Sequence, residues 1–153
     1  CGGYQMLGRR IEDPCGVESG GIEEGLWLLP VDTVLGKEKT RTNFEGVISG
    51  ATGKFEGLKG KAVEGYEIHM GTTTPYEDLT EFTSERTGFC KGNVYGTYIH
   101  GFFDKKEILE AVTGAAKAMD YRAFRETQYD LLARELRAAL DMDYIYEMMG
   151  IKR

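Results

Sequence analysis

Apolar positions along this chain change their period once, near Asp104. Before it they form short runs and alternations cut by glycines; after it they recur three and four residues apart. Met6 and Leu7 mark the inward side of a short helix predicted from Gly3 to about Ile11. Glu12-Asp13-Pro14 and the glycines between Gly16 and Gly21 end that helix and predict a loop. Leu26-Trp27-Leu28-Leu29-Pro30-Val31, set between Gly25 and Pro30, predicts a short buried strand, and the looser alternation from Thr40 to Ser49 a second. From Val63 to Gly71 the period is two, with Tyr66, Ile68 and Met70 on one side and Glu67 and His69 on the other. Asn93 to His100 is another β-rich run. Beyond it, Asp104 is placed to cap a helix reaching about Gly114. Tyr129, Leu132, Ala133, Leu136, Ala139 and Leu140 share one stripe of a longer helix. Asp141-Met142-Asp143 interrupts, and Tyr144 to Met149 predicts a last short helix whose Met and Tyr pairs read as core or interdomain packing. Strands first and helices last predict an α/β or α+β layered protein. No repeat or low-complexity segment is present.

Composition narrows this. At 153 residues, 41% hydrophobic and 29% charged, the chain can bury one modest core, as one soluble domain or the larger part of one. No apolar run approaches membrane-spanning length and no signal peptide is visible, so a cytoplasmic protein without a membrane partner is expected. A net charge of -6 without a basic cluster argues against a nucleic-acid partner. Three cysteines without CxxC spacing fit a reducing compartment and neither a disulfide framework nor a zinc site; no metal is expected. The 21 glycines, nearly double the average usage of about 7%, require many tight turns. Gly50-Ala51-Thr52-Gly53-Lys54 is not a phosphate loop, because Ile48 stands where the first glycine belongs and Phe55 where Ser or Thr should follow the lysine; it predicts a hairpin turn.

The candidate chemistry begins at Cys1-Gly2-Gly3-Tyr4-Gln5-Met6-Leu7-Gly8. A cysteine followed by two glycines and then helix-compatible residues suits a strand-to-helix nucleophile elbow. The thiol would then sit at a helix N-terminus, where unpaired N–H groups and the helix dipole favour thiolate. Gly2 can offer its N–H to an oxyanion, and Gln5, one turn on, can reach a substrate held over the sulfur. A glycine-rich turn with a buried thiol has the same local pattern. Cys15 and Cys90 lack such a setting and read as ordinary small residues. An elbow needs a strand before it, and Cys1 has none and no initiator Met, so the chain is expected to be a fragment cut at the nucleophile. The strand carrying Glu67 and His69 can grip a zwitterionic ligand, or be a solvent face with an incidental ion pair. Of the two histidines, His100 ends a strand beside Gly101, where a general base belongs. A satisfied core histidine fits there too.

These segments also run in a familiar order. Cys1-Gly-Gly-Tyr-Gln-Met-Leu-Gly, Gly16-Val-Glu, Gly25-Leu-Trp-Leu-Leu-Pro-Val, Gly65-Tyr-Glu-Ile-His-Met-Gly, Tyr95-Gly-Thr-Tyr-Ile-His-Gly-Phe-Phe-Asp104 and the tail Asp141-Met-Asp-Tyr-Ile-Tyr are co-linear with the cobyric acid synthases. The chain therefore resembles that family, the glutamine-dependent amidotransferases of cobalamin biosynthesis, over essentially its whole length. The resemblance implies an α/β domain with a three-layer flavodoxin-like sheet and flanking helices, of the class I-like glutamine amidotransferase kind, truncated at the nucleophile elbow. Residues 1–153 would be its C-terminal part. It implies Cys1 as nucleophile and His100 as catalytic histidine, with Gly2, Gln5, Tyr66, Glu67 and His69 at substrate-binding positions. Glutamine would be the partner here, and no cofactor is implied for this segment. ATP and Mg would belong to a synthetase domain outside it, which amidates a corrinoid. Triad glutaminases carry a Glu two residues after the histidine; Phe102 stands there, so another group must orient His100, and Glu67 is the candidate. The subunit that amidates lipid II shares Cys-Gly-Gly-Tyr-Gln and Gly-Thr-Tyr-x-His-Gly, and an inactive amidotransferase-like binding module is the non-enzymatic alternative.

Overall fold

Helix α1, Gly2–Met6, is shorter than the predicted helix, and strand β1, Arg10–Asp13, follows it. The reason lies in the segment predicted as a strand over 26–31. Its N–H groups cap α1 and the turn behind it: Leu26 donates to the Met6 carbonyl (2.8 Å), Trp27 to Gly8 (2.9 Å), and Leu28 and Leu29 to Leu7 (2.9 and 2.8 Å). Backbone committed to capping a helix cannot join a sheet ladder. Leu26, Trp27 and Leu28 are consequently exposed, and the buried part of that run is Leu29, Pro30 and Val31. Strand β2, Gly21–Glu24, pairs antiparallel with β1 and begins at the last residue of the predicted loop. Between them the buried Asp13 carboxylate accepts from the N–H groups of Val17, Glu18 and Gly20, each at 2.9 Å. Those donors hold its carboxyl below the usual carboxylate range.

The frame of the structure, a computed structural model describing residues 1–115, 117 and 119–151, is a long hairpin. Strand β3 is Val31–Val47 and β4 is Ala62–Pro75, so the alternations at 40–49 and 63–71 form strands as predicted. The turn region predicted at 50–54 lies in their connection, which also carries a 3-10 turn at Gly53–Leu58. Strands β5 (Thr80–Thr83), β6 (Gly88–Lys91) and β7 (Val94–Thr97) make a separate antiparallel sheet. Strand β8, Ile99–His100, lies against β4, giving the larger sheet the order β2-β1-β3-β4-β8. Among the described residues only β1 and β3 of this sheet pair in parallel. No α-helix stands between β3 and β4 to carry a parallel crossover, so the hairpin they form is antiparallel. Helix α2, Lys106–Thr113, starts after Lys105; Asp104 is not its cap, and instead donates its N–H to the Gly101 carbonyl (2.9 Å) in a turn.

Two buried clusters hold these elements. Phe44, Ile48, Leu58, Phe82, Phe102 and Ile108 join the hairpin, the smaller sheet and α2. Tyr4, Leu29, Val31, Phe89 and Tyr98 seat α1. The second requires a close approach: a Cβ at position 96 would collide with the Tyr4 ring, so only glycine fits there. Described residues thus form an α/β structure with a mixed sheet and flanking helices.

All of this falls in one compact unit, Cys1–Ala118; a second unit is Met119–Arg153. In the second, α3 (Tyr121–Ala139) is capped by Asp120, which accepts from Ala123 N–H (3.0 Å), and α4 (Met142–Met148) by Asp141, which accepts from Tyr144 N–H (3.0 Å). The predicted stripe runs along α3 as far as Ala139, with Tyr129, Leu132 and Leu136 exposed on it, while Leu140 follows the helix in extended backbone and is also exposed. Among the described residues no helix is long and apolar enough to cross a membrane.

Candidate active site

Cys1 stands at the head of α1, where its carbonyl accepts the Gln5 N–H (3.1 Å) and closes the first turn. Its side chain is exposed. Among the described residues, no atom outside the adjoining chain and the helix's own backbone lies within 4 Å of where a Cβ at Gly2 or Gly3 would stand, so that side of α1 is open. First-turn N–H groups have no intrahelical acceptor and are available to a bound oxyanion. The other two thiols differ in setting. Cys90 is buried in β6 and donates to the Gly50 carbonyl (3.2 Å), and burial pushes its thiol up. Cys15 is exposed in the turn between β1 and β2.

His100 ends β8, directly opposite Tyr66 of β4 in the register. Their rings stack, 5.1 Å between centroids and 10° from parallel. The His100 Nδ1 lies 3.0 Å from the Tyr98 carbonyl. A Cβ at position 65 would run into the His100 carbonyl, so Gly65 is what lets β8 lie so close to β4. The structure brings α1 near this segment: Gly3 and Tyr4 line one apolar cavity of about 450 Å3 together with Ile99, Gly101 and Phe102.

Glu67 and His69 occupy the opposite face. Glu67 pairs in register with Ile99, not with His100, and successive residues of a strand point to opposite sides. Both are buried, at 8% exposure each. Glu67 Oε2 lies 3.0 Å from His69 Nε2, and His69 Nδ1 lies 3.1 Å from the Gly71 carbonyl. Glu67 is therefore not the group that orients His100, which corrects the expectation drawn from the resemblance. The sequence pattern separated Tyr66 from Glu67 and His69 correctly, but not which face held the second histidine.

Gln5 is also buried, and its Nε2 donates to the Met70 carbonyl (2.9 Å) and the Tyr98 hydroxyl (3.2 Å). Its amide nitrogen ties α1 to the scaffold. Tyr98 is the residue the sequence reading missed. Its ring stacks on His69 with centroids 3.6 Å apart, its hydroxyl also meets Thr73 Oγ1 (2.5 Å), and its carbonyl faces His100. Burial raises its hydroxyl above the ordinary value, partly opposed by hydrogen bonds from Thr73 and Gln5. A tyrosine two residues before a candidate base was the available signal. Among the described residues no group of three or more His, Cys, Asp and Glu side chains could hold a metal ion.

Comparison with known proteins bears on this site directly. The chain is 46% identical to the cobyric acid synthase of Ruminiclostridium cellulolyticum, over 97% of this chain and 33% of that protein. It is 40% identical to the cobyric acid synthase of Lachnoclostridium phytofermentans, over 97% of this chain and 34% of that protein. With that of Photorhabdus laumondii the identity is 38%, over 100% of this chain and 34% of that protein. The chain thus spans about a third of the length of the curated relatives it matches. Residues 1–108, from the exposed cysteine through the histidine to the buried Ile108, match the CobB/CobQ-like glutamine amidotransferase domain, and the chain belongs to that family of amidotransferase enzymes.

Proposed function

We propose that residues 1–153 are the C-terminal part of the glutaminase domain of a cobyric acid synthase. Upstream strands would complete a three-layer flavodoxin-like sheet, and an ATP-dependent synthetase domain would receive the ammonia. The Cys1 thiolate attacks the carboxamide carbon of glutamine, and Gly2 N–H stabilises the oxyanion. His100 takes the thiol proton and gives it to the departing nitrogen, so ammonia leaves and a glutamyl thioester remains. His100 then takes a proton from water as it attacks the thioester carbon; glutamate leaves, and the proton returns to the thiolate. In the synthetase domain ATP and Mg would activate carboxylates of cobyrinic acid a,c-diamide for amidation, in the cytoplasm.

The observation that carries this reading is the setting of Cys1, exposed at the head of a helix with open space over Gly2 and Gly3, in a chain whose relatives are named as cobyric acid synthases. Mass-spectrometric labelling by a glutamine-mimicking diazo-ketone tests it, with Cys15 as an exposed and Cys90 as a buried reference. Selective modification of Cys1, suppressed by glutamine, is the expected outcome. Equal labelling of Cys15, or no protection by glutamine, would refute the glutaminase site in this chain.

A further inference from the structure

Three features meet at His100 that its expected carboxylate partner does not supply. The Tyr98 carbonyl lies 3.0 Å from Nδ1. A carbonyl only accepts, so the bond forms only when Nδ1 carries the proton, and in the neutral ring this leaves Nε2 unprotonated. Tyr66, opposite His100 in the register, covers one side of the imidazole with a near-parallel ring. Gly65 removes the side chain that would push β8 away from β4. Glu67, meanwhile, is on the other face and bonded to His69.

We propose that Tyr66 is a positioning residue: with the Tyr98 carbonyl it holds the His100 ring in the plane and tautomer that present Nε2 as the base, replacing the carboxylate of a triad. The main-chain acceptor fixes which nitrogen carries the proton. The flat stack limits rotation of the ring about its Cβ–Cγ bond, which a single hydrogen bond leaves loose. On this route the ring is fixed by the main-chain acceptor and the stack.

The inference rests on His100 being the base in the proposed glutaminase reaction, and its test separates the two. Tyr66 is about half exposed, so replacing it leaves the core intact. The chain's two histidines give two sets of ring nitrogen signals, and His100→Ala identifies those of His100. Histidine 15N spectra, taken where the ring is neutral, should show the native protein and Tyr66→Phe with His100 in the Nδ1–H tautomer. Tyr66→Leu should show averaged tautomers and label Cys1 with the diazo-ketone about tenfold more slowly, a part of what general-base assistance supplies. A native Nε2–H tautomer, or a Tyr66→Leu protein matching Tyr66→Phe in both spectrum and labelling rate, overturns the positioning role. If His100→Ala labels Cys1 at the native rate, His100 is not the base, and the underlying reading falls whatever Tyr66 does.

Discussion

Tyr98 meets four residues around the candidate site: Gln5 from α1, Thr73 and His69 from β4, and His100 through its own carbonyl. One buried aromatic thereby ties helix α1 to the strand bearing His100. Around it the chemistry sorts by strand face. Residues paired across an antiparallel ladder lie on the same side, so Tyr66 and His100 share one face, and Glu67 and Ile99 the other. Both His69 nitrogens face acceptors, and both bonds form at once when the ring carries two protons beside an ionised Glu67. Glu67→Gln keeps an acceptor but removes the charge. Its expected cost in stability is about 1.5–3 kcal/mol, the range for a hydrogen bond to a charged group, while the rate of Cys1 labelling stays within about twofold of native, since Glu67 faces away from His100. A tenfold drop in labelling would return Glu67 to the mechanism. Cys1 and His100 stand out as candidates in the sequence because each sits in a local pattern, a glycine pair in one case and a strand end in the other. The partner of His100 could not, because it depends on which residue of β4 lies opposite, and no local pattern encodes register.

Among the elements, the segment 25–29 explains most of what the hydrophobic pattern got wrong. An apolar run bounded by turn residues has the same appearance whether it enters a sheet or folds back to cap a helix. Here the carbonyls at the end of α1, which lack intrahelical donors, decide, and the run supplies their donors. The geometry places Trp27 at φ 58, a left-handed conformation that glycine adopts freely and other residues at a cost. Its indole N–H meets Glu24 Oε1 (2.8 Å), and the Arg9 guanidinium, bonded to Asp32, lies 6.0 Å from the ring. Comparing Trp27→Gly with Trp27→Ala isolates the backbone term, since both lose those contacts. The glycine variant should be the more stable by about 1 kcal/mol, the left-handed penalty for an L-residue. Urea denaturation followed by circular dichroism measures this, because either change removes the only tryptophan. Equal stabilities would mean the left-handed conformation carries no strain. By contrast the long strands were legible, since a sustained period of two over 63–71 has no helical alternative.

Over the whole molecule, the family match and the core coincide. Residues 1–108 end at Ile108, which is fully buried among Phe44, Ile48, Leu58, Phe82 and Phe102. These side chains come from β3, the β3–β4 connection, β5, the turn after β8, and α2. The sequence placed most of those elements but could not say that one cluster joins them, because packing partners distant in the chain leave no periodic trace. Ile108 is the sharpest probe of that cluster, being the only α2 residue with no exposure at all. Ile108→Val removes one methylene and should cost about 0.5–1.5 kcal/mol, whereas Ile108→Ala opens a cavity and should cost about 2–5 kcal/mol. Against a typical total of about 5–15 kcal/mol the second is a large fraction. Trp27 belongs to the same compact unit, so its fluorescence during denaturation reports the loss directly. A graded Val-then-Ala series is expected. An Ile108→Ala protein within about 0.5 kcal/mol of native, the range of ordinary surface substitutions, would show that α2 does not close this core, and the seat of β8 and His100 beside Phe102 would then need another support.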